Sequence, residues 1–108
     1  MTAHQGTVKW MAPEILSNGR YTTKADIYSF GLVAWETFAE EQIFSELRFD
    51  SMVEIEVVNN GKRPPLTEKI PEQMKDLISR CWDANPTHRP TATEILQQMR
   101  MVSTPRCE

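Results

Sequence analysis

The chain has 108 residues and a formal net charge of -3, with 40% apolar and 25% charged side chains. That length suits one small domain around one hydrophobic core, and the composition is that of a folded chain rather than a disordered one. The acidic balance gives no support to nucleic-acid or anionic-membrane binding, and the longest apolar run, Leu32-Val33-Ala34-Trp35, is far too short to span a bilayer. Met1-Thr2-Ala3-His4-Gln5 has neither the basic start nor the apolar run of a secretion signal. Cys81 and Cys107 lack metal-ligand spacing and stand far from His4 and His88, so free thiols in a reducing cytosol are expected.

No alternating strand pattern and no internal repeat is present, and the segments read as helices joined by short loops. A short helical turn over Glu14 to Ser17 is expected to end at Asn18-Gly19. The next helix is expected from Thr23 to about Ala39, with Thr23 and Asp26 as a capping box. Its apolar residues Ile27, Tyr28, Phe30, Leu32, Val33, Trp35 and Phe38 point all round, which places it in the middle of the fold. Gly31 within it implies the close approach of another backbone. Ser51-x-x-Glu54 reads as a second capping box, opening a helix that Asn60-Gly61 stops. Lys62-Arg63-Pro64-Pro65 cannot be helical, because each proline restricts the residue before it. Pro71 opens a helix whose apolar face is Met74, Leu77, Ile78, Cys81 and Trp82, and Asn85-Pro86 is expected to end it. Thr91, boxed by Glu94, opens the last helix, with Ile95, Leu96, Met99 and Val102 expected to face inward. The expected fold is all-α, with about four main helices around one buried central helix.

Three motifs stand in order along this frame: Gly6-Thr7-Val8-Lys9-Trp10-Met11-Ala12-Pro13-Glu14, then Asp26-Ile27-Tyr28-Ser29-Phe30-Gly31, then Arg89-Pro90. Together they resemble the closing part of a protein-kinase domain, where Ala-Pro-Glu ends the activation segment. The resemblance covers nearly the whole chain but well under half of such a domain. It implies the helical subdomain of the kinase large lobe. Residues 1–14 would be the end of the activation segment and the substrate-side loop, 15–103 the helical subdomain, and 104–108 a tail.

Kinase phosphoryl transfer needs a glycine-rich loop, a paired lysine, and the His-Arg-Asp and Asp-Phe-Gly motifs. None is present: the four glycines are Gly6, Gly19, Gly31 and Gly61, and His88-Arg89 continues into Pro90. The expectation is a C-terminal kinase-domain fragment with no catalytic, cofactor-binding or metal-binding residue of its own, inactive by itself. Its parent would use ATP and magnesium to phosphorylate protein hydroxyls in the cytoplasm. The missing remainder of the domain and the parent's protein substrates would be its partners. The alternative is a non-catalytic, kinase-derived helical interaction module.

The resemblance also implies residue roles. Glu14 and Arg89 would form a buried ion pair, for which the planar guanidinium fork is suited. Asp26 would anchor the catalytic loop through backbone N–H groups, beside its plainer role at a helix N-terminus. Gly6, Thr7, Val8, Lys9 and Trp10 would receive the substrate residue after the phosphoacceptor, although Trp10 also suits plain core packing. Gly6-Thr7 is common in serine/threonine kinases, whereas Val8-Lys9-Trp10-Met11-Ala12-Pro13-Glu14 is the wording of tyrosine kinases. That mixture points to the tyrosine-kinase-like group and to Ser/Thr, ahead of Tyr, as acceptor. Thr2 is a candidate phosphosite, and Glu40, Glu41 and Glu46 read as a solvated acidic patch.

Overall fold

The computed structural model describes residues 8–103, with side chains through residue 100. Thr2, Gly6, Thr7 and Cys107 lie outside the described residues, as does the side chain of Val102. Five α-helices follow one another: α1 (Pro13–Asn18), α2 (Thr23–Ala39), α3 (Asp50–Glu54), α4 (Glu72–Cys81) and α5 (Ala92–Ser103). Short 3-10 turns at Val8–Trp10 and Pro86–His88 flank the set, and α3 runs on into a π-helical turn at Ile55–Asn59. No strand occurs among the described residues.

Each boundary has a local cause. Gly19 ends α1 in the left-handed region at φ 73°, its N–H reaching Ile15 O. Thr22, not Thr23, is the extended residue before α2, and Phe49, not Ser51, is the one before α3. Thr23 and Ser51 therefore lie inside their helices, where a side chain cannot serve as N-cap, and neither of those two expected boxes forms. The third box does. Thr91 Oγ1 accepts the Glu94 N–H at 3.1 Å while Glu94 accepts the Thr91 N–H at 2.8 Å. The helix after Pro71 ends at Cys81, ahead of the expected Asn85-Pro86, which instead opens the second 3-10 turn with Asn85 Oδ1 accepting Thr87 N–H.

The core is built where α2 crosses α4. Tyr28, Leu32 and Trp35 of α2 meet Met74, Leu77, Ile78 and Cys81 of α4, all buried. Gly31 sits at the crossing: a Cβ there would lie 2.8 Å from Cys81 Cβ and 3.4 Å from Ile78 O. The close neighbour that Gly31 implied is thus α4 of this same chain.

Burial around α2 is uneven. Ile27 and Phe30 are only partly covered and Val33 is 49% exposed, so the central helix is enclosed on one side rather than all round. α5 packs on α4 through buried Ile95, but Leu96 and Met99 face outward, contrary to the expected inward face. Nothing in the described chain lies beyond α5 to cover them.

Candidate functional site

Arg89 leads into α5 from the second 3-10 turn, and Glu14 sits in the first turn of α1. Their side chains meet. Nη1 lies 2.9 Å from Glu14 Oε2 and Nη2 lies 2.9 Å from Oε1, a two-point fork between guanidinium and carboxylate. The Arg89 side chain has no exposure and that of Glu14 only 15%. Further donors are used up on backbone: Nε reaches Asp83 O and Nη1 reaches Lys24 O, both at 2.9 Å. Lys24 returns the contact by donating Nζ to Arg89 O. Glu14, the start of α2 and the turn before α5 are therefore joined through one side chain.

Tyr28 lies between two cations. Arg89 stands 5.0 Å from the centre of its ring and Arg63 stands 5.2 Å from it, distances suited to cation–π attraction. Arg63 is itself held by Trp82 O at 2.9 Å. Burial pushes the Tyr28 hydroxyl up to about 12, against the opposing pull of the two guanidinium groups. That hydroxyl has no hydrogen-bond partner. Burial likewise pushes the Cys81 thiol up to about 11.

The turn Val8–Trp10 is fixed to α2 at both ends of Trp10. Ser29 Oγ donates to Trp10 O at 2.7 Å, and the indole N–H donates to Glu36 Oε1 at 3.3 Å. The other Glu36 oxygen accepts the Ile43 N–H at 3.0 Å, tying the following loop to the same carboxylate. Val8 is buried and Lys9 and Trp10 are half-buried. Lys9, Trp10, Glu36, Glu40, Glu41 and Ile43 border an open cleft of about 540 Å³.

Asp26 stands apart from this arrangement. It is exposed, makes no helix cap, and accepts the hydroxyl hydrogen of Tyr21. Of the acidic patch, Glu46 pairs with Lys62 at 3.2 Å and Glu41 with Lys69 at 3.6 Å, both on the surface. Sequence reasoning did not single out Ser29, Glu36, Lys24 or Arg63 as parts of the site. The available signal was helical spacing: Ser29 and Glu36 share one face of α2, the face that Trp10 meets.

Residues 1–99 match the family described as protein tyrosine and serine/threonine kinase. The chain belongs to the protein kinase family. It is 35% identical over 99 residues to mitogen-activated protein kinase kinase kinase 7 of Homo sapiens, a match covering 92% of this chain and 16% of that protein. It is 37% identical over 100 residues to dual specificity protein kinase shkA of Dictyostelium discoideum, covering 91% of this chain and 19% of that one. The chain thus spans less than a fifth of the length of either relative. Within the kinase domain it corresponds to the C-terminal, large-lobe part, of the tyrosine-kinase-like type.

The sequence of this stretch of kinase holds no glycine-rich loop and no Asp-Phe-Gly. Among the described residues no group of three or more His, Cys, Asp or Glu is placed to hold a metal ion. Also among them, no helix is long and apolar enough to cross a membrane.

Proposed function

We propose that this chain is the substrate-side platform of a protein kinase whose whole form transfers the γ-phosphoryl group of ATP to serine or threonine hydroxyls of proteins. Tyrosine is the less favoured acceptor. In this reading residues 1–14 end the activation segment, 15–103 form the platform, and 104–108 are a tail. Val8, Lys9 and Trp10, with Gly6 and Thr7 before them, would receive the residue that follows the phosphoacceptor. Asp26 would anchor the catalytic loop, and ATP and magnesium would be held by the part of the domain that precedes this segment. The cytoplasm would be the place of action.

One observation carries the reading: the two-point Glu14–Arg89 fork, buried at the arginine, joins the end of the motif Gly6 to Glu14 to the helical body. A loop that must present a substrate backbone in a fixed register needs such an anchor, because orientation errors near 1 Å already cost much of the rate. The second anchoring point, Trp10 on Ser29 and Glu36, supports the same role.

A chimaera tests it. Residues 1–99 of this chain replace the matching segment of mitogen-activated protein kinase kinase kinase 7, and transfer to Ser, Thr and Tyr peptides is measured. The expected result is transfer to Ser/Thr peptides that is lost on Arg89→Ala. A chimaera that melts cooperatively yet transfers nothing would overturn the platform reading and leave the non-catalytic module in its place.

A further inference from the structure

The chain has two tyrosines, and the fold gives them opposite environments. Tyr28 is fully buried between Arg63 and Arg89. Tyr21 is 64% exposed, on the short stretch between the Gly19 cap of α1 and the Thr22 cap of α2. Its hydroxyl donates to the carboxylate of Asp26, which is also exposed. That hydrogen bond is the main reason the Tyr21 phenol is held above its ordinary pKa. Asp26 makes no cap for α2, and the Tyr21 ring is not part of the core.

We propose that Tyr21 is a tyrosine-phosphorylation site, and that its modification breaks a hydroxyl–carboxylate latch on Asp26. The donor is ATP in the hands of a tyrosine kinase. The phenolic oxygen bonds to the γ-phosphorus as that phosphorus parts from its bridging oxygen, ADP leaves, and the phenol's proton passes to solvent. The phenolic oxygen of the product has no hydrogen to give Asp26. In its place stands a phosphate of about -1.5 to -2 charge, so attraction becomes like-charge repulsion and the ring must leave the carboxylate. Arg20, exposed and adjacent in the chain, is a cation of the kind that pairs with phosphate. The effect on the catalytic loop rests on the role proposed above for Asp26; the modification itself does not.

The test uses the folded 108-residue chain, isotopically labelled, with magnesium-ATP and a purified broad-specificity tyrosine kinase. Tandem mass spectrometry locates the phosphate, and carboxyl NMR follows Asp26. One phosphate on Tyr21, none on Tyr28 and none in Tyr21→Phe is the expected outcome. The Asp26 side-chain resonance should move on phosphorylation and also in unmodified Tyr21→Phe. Phosphate on Tyr28, or none on Tyr21, overturns the site; phosphate on Tyr21 with the Asp26 resonance unmoved overturns the latch. None of these results bears on the chimaera, so the two readings fail separately.

Discussion

The guanidinium of Arg89 is enclosed by Glu14, by the carbonyls of Asp83 and Lys24, and by the ring of Tyr28. Removing one member of a buried pair leaves the other charged and desolvated, which typically costs about 3–5 kcal/mol. Arg89→Ala should therefore lower the unfolding free energy by about that much, a large share of a small domain's total of about 5–15 kcal/mol. Urea denaturation measures it, and a loss of only a fraction of a kcal/mol would show that the pair does not hold the fold. The buried hydroxyl and thiol give a second expectation. Both are raised, Tyr28 from 10.0 to about 12 and Cys81 from 9.0 to about 11, so the folded state keeps protons that the unfolded chain releases. Stability is full below pH about 9 and falls as pH rises towards about 12, by up to ~1.1 kcal/mol per pH unit from Tyr28 alone at its steepest. In Tyr28→Phe the decline above pH about 10 should flatten in urea midpoints taken across that range.

Helix starts show how closely local reading can fail or succeed. Three Ser/Thr-x-x-Asp/Glu pairs were legible, at Thr23, Ser51 and Thr91, and only Thr91 stands in the non-helical position that a cap requires. Buried Pro90 precedes it and holds the chain extended up to the helix. At the other two sites the chain turns helical one residue or more sooner, and Asp26 is engaged by Tyr21 instead. Thr91→Ala should cost ~0.5–2 kcal/mol and speed amide exchange in the first turn of α5. Thr23→Ala and Ser51→Ala should stay within ~0.5 kcal/mol of the unaltered chain.

At the scale of the molecule, the uncovered apolar side chains lie on several faces. Val33 on α2 is 49% exposed, and Phe49, Ile55 and Leu96 are 65%, 53% and 58% exposed. The partly covered stripe of Ile27, Phe30 and Val33 is the one that the rest of a kinase domain would cover in the proposed reading. Contiguous apolar exposure favours association. The isolated chain should bind a hydrophobic dye and associate as its concentration rises, with both reduced in Val33→Ser. A monomer that melts sharply without binding dye would count against this.

Residue order alone identified the family, the all-helical class and the two ends of the Glu14–Arg89 pair. Motifs and helical periodicity are local properties that survive without coordinates. Tertiary structure decided the rest, for it depends on which surfaces meet. α4, not an absent loop, fills the space that Gly31 leaves open. Among the described residues α5 packs mainly on α4, and Leu96 and Met99 face outward despite their helical spacing. Glu36 and Ser29 matter because Trp10 folds back onto them, a contact between distant segments that no local pattern encodes.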